Sequence, residues 1–357
     1  MYLLIFLLLI AYSLLISHKI KYLDSIIIVF MCCLVFHGVK VPDFSMYETA
    51  YKYIQSGHQY SDLGVGWYWL CRLFGEFGFS YAFLKAMVFA FSGFLIKHTV
   101  DRFVKTSELR SLVWGLYLLY PALLDGVQIR FFLSESIVIF ALPFLVSERR
   151  VDRFKYLLLT ILAISFHSSA MFYLLFLLAP LMRHVKKIFL YIFIFISFAL
   201  FFGREYVISL GMFLLNENRI DRYLTGSDGA GFFGVLAYTT TTVLFYVLMR
   251  KFYATVTQST FTVEERNFFN LSVCISMISF LVLPMISFDP NFGRLQRILW
   301  ILLYLQGAVL IENKNDRINV VGEKLRLSYC IGFLALVANL AFICCFNFNI
   351  ISDFFFV

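Results

Sequence analysis

The sequence predicts an all-α, polytopic integral membrane protein with about 12 transmembrane segments, some of them short or re-entrant. Three observations predict it. Of the 357 residues, 61% are hydrophobic and only 15% charged, against roughly 25% charged in a soluble domain. The mean hydropathy is +0.83, and apolar runs follow one another along the whole chain. Basic residues collect in alternate loops between those runs, as they do in membrane proteins. One span with its loop takes about 30 residues, because some 20 are needed to cross the hydrocarbon core. Twelve crossings therefore fill the chain, and we read 1–357 as a single integral membrane domain with no room for a soluble catalytic domain.

The first run, 1–16, carries no charge before its apolar stretch and no small-residue cleavage site, and His18, Lys19 and Lys21 follow it. It predicts a first transmembrane helix, not a removable signal. A second run at 23–39 is followed by the polar segment VPDFSMYETAYKYIQSGHQY, which predicts an external helix over about 43–56. The stretch 63–79 contains Arg72 and Glu76, and is expected as a re-entrant or interfacial helix. Further runs lie at 80–97, 111–124 and 132–147. The runs 156–166 and 169–182 are too short to span unaided, and predict two tilted helices or one re-entrant hairpin broken near His167 and Ser168. After 188–203 comes an external loop over about 204–231. The last runs are 232–249, 268–288, 298–311 and 327–347.

Orientation follows from the positive-inside bias. Six loops, holding Lys19 and Lys21, Lys97 to Arg110, Arg149 to Lys155, Arg183 to Lys187, Arg250 to Arg266 and Lys314 to Arg326, carry 20 of the 30 basic residues. These are expected in the cytoplasm, with both termini outside. The net charge of +8 is thus a topology signal, and without a basic, aromatic-interleaved stripe on a soluble face it does not point to nucleic acid. The seven cysteines form no C-x-x-C pair and read as small core hydrophobes.

The outer basic residues are Lys40, Lys52, Lys85, Arg72, Arg130, Arg204, Arg219, Arg222, Arg294 and Arg297. Arginine predominates there, and its planar guanidinium grips phosphate or carboxylate oxygens in a bidentate way. Taken singly, each is equally a snorkelling interfacial charge. Arg219 with Arg222, and Arg294 with Arg297, are i,i+3 pairs that would share a helical face and could each hold one phosphate group, although Asp221 and Asp289 stand beside them. On the external helix, Asp43, Tyr47, Tyr51 and Gln55 recur at i,i+4 on one face, with Glu48 and Lys52 as an adjacent ion pair. Aromatic rings with an acid between them suit carbohydrate, and an interfacial tyrosine belt explains the same pattern.

Arg130 stands at the outer mouth of a helix, with Asp125 and Glu135 five residues to either side. An ionisable group so near the membrane interior is a functional hypothesis by default. His167, flanked by serines, is the one histidine deep within an apolar run. It reads either as a proton acceptor or phosphate contact, or as a histidine hydrogen-bonded to a helix backbone. No phosphate loop, H-E-x-x-H or G-x-S-x-G motif occurs, and no metal or cofactor is expected.

Four short motifs, taken in order, resemble the bacterial Wzy-type polymerases of O-antigen and exopolysaccharide, especially the EpsG-like branch. They are Asp43 with Tyr47 at the start of the external helix, Ile129–Arg130 before a helix, His167 with Ser169 and Ala170, and Arg219, Arg222 and Tyr223 late in the outer segment. Val41 and Pro42 stand where the family often has Gly-Thr, and Phe131 where it often has Gln. The resemblance implies a glycosyltransferase of the plasma (inner) membrane that joins undecaprenyl-diphosphate-linked oligosaccharide repeat units on its outer, periplasmic face. It also implies the bilayer as setting, and a chain-length regulator and a flippase as companions. The site residues would be His167, Asp43 and Arg130 for chemistry, with Tyr47, Tyr51, Arg219, Arg222, Tyr223, Arg294 and Arg297 binding substrate. His167 is the favoured base, since desolvation in a broken apolar segment would keep its imidazole neutral, and Asp43, on an exposed tyrosine-rich helix, is the alternative and more naturally a sugar-binding acid. The competing classes are a flippase or other transporter of the same units, and an O-antigen ligase that moves finished glycan to another acceptor.

Overall fold

Apolar periodicity with few breakers yields helices almost everywhere in the computed structural model. It describes residues 1–15, 22–58, 63–147, 149–183, 186–203, 231–257, 261–314 and 350–355, and among these there is no strand. Among the described residues, five stretches are long and apolar enough to cross a membrane: Tyr81–Phe103, Ile129–Val146, Phe232–Thr257, Val263–Phe288 and Pro290–Asn313. Three shorter apolar ones are Tyr2–Leu14, Leu23–His37 and Ser168–Met182. The chain is an all-α membrane protein. These five and three are what the described residues contribute to the segments expected. The run 327–347 and the loop 204–231 up to residue 230 lie outside the described residues, as do Arg204, Arg219, Arg222 and Tyr223.

The chain divides into two compact units. The first comprises Met1–Phe144, Arg149–Leu174 and Trp300–Val357, and the second Leu145–Glu148 and Leu175–Leu299. In the first, α1 (Tyr2–Leu15) packs on α6 (Ser107–Leu119), and α2 (Leu23–His37) packs on α5 (Tyr81–Phe103). Glycine permits both close approaches, since a Cβ on Gly115 would lie 2.6 Å from that of Ser13, and one on Gly93 would lie 3.1 Å from the Ile28 side chain. At one end of this pair the buried Asp24 meets Lys97, which also reaches Asp101 at 3.1 Å, and Asp101 in turn receives Arg110 at 3.0 Å. The Glu312 carboxylate accepts the backbone N–H groups of Lys105 and Thr106, fixing the turn into α6.

The run 111–124 is not one helix. It ends at Leu119, and Pro121 precedes the short α7 (Ala122–Val127) and α8 (Ile129–Val146). Proline supplies no N–H for the ladder and disfavours the helical region in the residue before it. The Tyr120 carbonyl is taken up by the Tyr304 hydroxyl at 2.9 Å, and the break places the start of α8 beside the segment that follows α2.

That segment forms α3 (Phe44–Gln55), bounded by Asp43 and Ser56 as the sequence predicts over 43–56, and α4 (Val65–Glu76), which packs on α3 and on α9 (Arg150–Phe166). With 12 residues, α4 rises about 18 Å and falls short of the roughly 30 Å hydrocarbon core. The break expected near His167 is present. The helix α9 ends at Phe166, His167 is extended, and a 3-10 helix runs over Ser168–Leu178.

In the second unit, α10 (Ala179–Met182), α11 (Lys186–Phe202), α12 (Phe232–Thr257) and α13 (Val263–Ile278) are followed by a 3-10 turn over Ser279–Leu281, α14 (Val282–Phe288) and a second 3-10 helix, Pro290–Gln296. A capping box between Thr262 and Glu265 starts α13. The chain then continues into α15 (Arg297–Lys314), and a last short helix, α16 (Ile350–Phe355), belongs to the first unit.

Candidate active site

Arg130 is the second residue of α8, half-buried, and three separate parts of the first unit meet at its guanidinium. Nη2 donates to the Leu63 carbonyl just before α4, and to the Phe166 carbonyl at the end of α9, at 3.4 Å. Nη1 lies 3.5 Å from the Tyr47 hydroxyl of α3. The guanidinium carbon sits 5.4 Å from the Tyr47 ring centre and 5.9 Å from that of Trp67, within the range of cation–π attraction. Two of its five N–H groups are thus spent on backbone carbonyls. Nε is buried and makes no hydrogen bond, and Nη1 makes only the long bond to Tyr47. A charged donor held so firmly, yet with capacity left over, is suited to an anion arriving between α3 and α9.

Local sequence explains how the carbonyls come within reach. Gly64 has φ +79°, and a Cβ there would stand 2.8 Å from the Ser165 carbonyl oxygen. A Cβ on Gly66 would come within 2.4 Å of Ser165 Oγ. Only glycine at both places lets the head of α4 lie against the end of α9.

Asp43 is exposed and adopts the left-handed conformation, φ 68° and ψ −11°, the only non-glycine residue among those described to do so. Aspartate tolerates this region better than most residues. Its carboxylate caps no helix N–H, so its lone pairs remain available. One turn on, Tyr47 is half-buried, with its hydroxyl and ring against the Arg130 guanidinium. Tyr51 departs from the exposed face the sequence predicts. It is 2% exposed, its hydroxyl donates to the Phe79 carbonyl at 2.8 Å, and its ring lies 5.8 Å from Tyr81. Burial raises its phenol above the usual range, keeping it a donor. The i,i+4 row runs from an exposed end into the core, because Phe44, Ala50 and Ile54 on the neighbouring stripe are buried too.

His167 is half-buried, with the Phe131 ring edge-on at 5.5 Å. Its Nδ1 accepts the Ser169 backbone N–H at 3.2 Å. In the neutral ring the proton then resides on Nε2, which makes His167 a donor in this geometry. Action as a proton acceptor through Nδ1 would require giving up the Ser169 bond.

Near Arg130, Asp125 and Glu135 are 1% and 2% exposed. Asp125 accepts from the Tyr117 hydroxyl at 2.9 Å, so it serves the packing of α6 and α7. The pair Arg294 and Arg297 lies in the second unit, at the end of the 3-10 helix and the start of α15. Arg294 is half-buried and Arg297 is 3% exposed, so they do not present one common exposed face. Asp289 is buried and accepts the Asn291 N–H at 2.8 Å, and a Cβ on Gly293 would strike the Tyr238 ring at 2.4 Å. Sequence reasoning missed Trp67 and the Gly64–Gly66 pair. The run GVGWYW was the available signal, small residues and a large ring together on a non-spanning helix. It also grouped Lys85 with the outer basic residues without marking it as buried, and Lys85 is 1% exposed.

Fold and site together define an all-α membrane protein in which an arginine at the head of α8 meets two aromatic rings and two backbone carbonyls from shorter segments, next in sequence to His167 and one turn from Asp43. Comparison with protein families matches residues 21–353 to the EpsG family, and the chain belongs to that family. Membership points to an exopolysaccharide polymerase-type, glycosyltransferase-type function. No curated protein and no solved structure matches the chain.

Proposed function

We propose that this protein polymerises oligosaccharide repeat units carried on undecaprenyl diphosphate, at the outer face of the bacterial plasma membrane. The acceptor sugar hydroxyl attacks the anomeric carbon of the growing chain. The new glycosidic bond forms as the bond to the diphosphate oxygen breaks, the hydroxyl proton passes to the Asp43 carboxylate, and the bonding pair leaves with the lipid diphosphate. Arg130, through Nε and Nη1, and His167, through Nε2–H, stabilise the charge that grows on this leaving group. No cofactor is called for, since the diphosphate is already an activated leaving group. Tyr47 offers a sugar-facing ring beside Arg130. Arg219, Arg222, Tyr223, Arg294 and Arg297 remain proposed contacts to the diphosphate or glycan. A flippase that delivers the units and a chain-length regulator are the proposed partners.

The observation that carries this reading is the Arg130 junction. One guanidinium joins the α3 segment bearing Asp43 and Tyr47 to the α9 end bearing His167, and keeps donors in reserve. The test uses the purified full-length chain in liposomes with lipid-linked repeat units extracted from a polymerase-deficient host. Lengthened lipid-linked glycan with wild type, and none with Arg130→Lys, supports the proposal. Transfer of whole glycans to a different acceptor without lengthening would instead identify a ligase.

A further inference from the structure

Lys85 lies one turn inside α5, on a helix long and apolar enough to cross a membrane, and is 1% exposed. Its Nζ donates to the Gly38 carbonyl at 2.8 Å and lies 4.9 Å from the centre of the Phe44 ring. Among the described residues no carboxylate pairs with it. An ammonium so placed gives up its hydration for one neutral acceptor and one ring face, which is an expensive way to fill space that a methionine would fill without a charge. Its two contacts, however, are not arbitrary. Gly38 is the residue that ends α2, and Phe44 is the first residue of α3. The segment between them holds Asp43 in its left-handed conformation, and the two ends of that segment are both tied to the same nitrogen.

The joint is tight on its other side as well. A Cβ on Gly38 would stand 2.8 Å from the Phe354 ring of α16, and Phe354 is itself 1% exposed. The Phe44 N–H closes a turn onto the Val41 carbonyl at 3.2 Å. The chain from Gly38 to Phe44 is therefore short, anchored at both ends and folded back on itself. Its one exposed acidic group is the carboxylate that the proposed reaction uses.

We infer that Lys85 is a positioning residue for Asp43: it pins both ends of the 38–44 segment, and so sets where the carboxylate stands at the head of α3. The inference rests on the role proposed for Asp43, and the test separates the two. Lys85→Met, Lys85→Arg, Phe44→Leu and Asp43→Asn, with the double variants carrying Asp43→Asn, are expressed as full chains in a deletion host. Each is scored for glycan ladder per unit of membrane protein, and for melting temperature in detergent. Lys85→Met should melt no lower than wild type yet lower polymer yield about tenfold to a hundredfold, the range a small misplacement of a reacting group produces. Lys85→Arg, whose guanidinium can meet the same carbonyl and ring, should restore most of it. Phe44→Leu should give a smaller loss in the same direction. In the Asp43→Asn background neither Lys85→Met nor Phe44→Leu should cost anything further. Multiplying losses, a wild-type ladder from Lys85→Met, or a lowered melting temperature with Lys85→Met that Lys85→Arg repairs without repairing the ladder, would each overturn the inference. A wild-type ladder from Asp43→Asn alone would instead overturn the role of Asp43.

Discussion

At the scale of single residues, the same guanidinium does two things in the first unit. Nη2 ties the Leu63 and Phe166 carbonyls together, and Nη1, which makes only the long bond to Tyr47, is the donor proposed for the diphosphate. Lysine keeps the charge but presents no planar fork, so Arg130→Lys should lose chain extension while the protein still inserts. Membrane abundance together with ladder intensity reports it, and a wild-type ladder would reduce Arg130 to a structural tie. Asp43 and His167 make opposite predictions. Since His167 Nδ1 already accepts from Ser169, Asp43→Asn should lower the maximal rate by about 10²–10⁴-fold, as loss of a general base does, and His167→Ala should cost less. A nearly intact rate in Asp43→Asn beside a collapsed rate in His167→Ala would return the base to the imidazole. The candidates themselves were legible in the sequence: an arginine at a helix mouth, a histidine in a broken apolar run, an acid heading a tyrosine row. Their hydrogen bonds were not, because the Ser169 bond to His167 depends on the exact φ and ψ of the break. Tyr51 shows the same limit, since an i,i+4 row states which residues share a face and not which end of that face is covered.

At the scale of elements, the site exists because α4 and α9 approach without side chains between them. Gly66→Ala should push them apart and cost about 1–3 kcal/mol, the usual penalty for overpacking a tight contact, and it should weaken Arg130's hold on Leu63 and Phe166. A detergent melting curve with a ladder assay checks this, and an unchanged ladder would mean that the α4 approach is incidental to function. A second prediction concerns the turn into α6. The Glu312 carboxylate accepts two backbone N–H groups there, so Glu312→Ala should destabilise the protein by about 1–2 kcal/mol, as loss of a helix-capping side chain does. Apolar patterning located most helices to within a few residues. It failed at 111–124, where Pro121 sits inside an unbroken apolar run. Hydropathy does not see a missing N–H, and only the backbone argument would have split the run into α6 and α7. The short α4 was legible for a physical reason, because Arg72 and Glu76 form an exposed ion pair at 3.0 Å that a membrane-crossing helix would not carry at its centre.

At the scale of the whole molecule, the distribution of basic residues proposes an orientation with the six basic loops inside. Cysteine variants at positions 105, 150 and 187 should resist an impermeant reagent applied from outside, and those at 52 and 222 should react. Labelling of 105 with protection of 222 would invert the topology and remove the site from the outer face. The family was legible in the order of four short motifs along the chain. The meeting of the shorter pieces at Arg130 was less so, since 63–79 reads as a re-entrant or interfacial helix and 169–182 as one more apolar run, too short to span. Tyr47, Trp67 and the Leu63 and Phe166 carbonyls from these pieces gather at Arg130 of α8, because backbone at helix ends leaves carbonyls that a side chain from a distant part of the sequence can reach. The central claim, that this gathering extends a lipid-linked glycan, is tested most directly by deleting the gene in its host and resolving the surface glycan on a gel, with wild type or Arg130→Lys returned in trans. We predict that the deletion leaves single repeat units in place of a ladder, that wild type restores the ladder, and that Arg130→Lys does not. Disappearance of all repeat units from the outer face on deletion would contradict the account and identify a flippase.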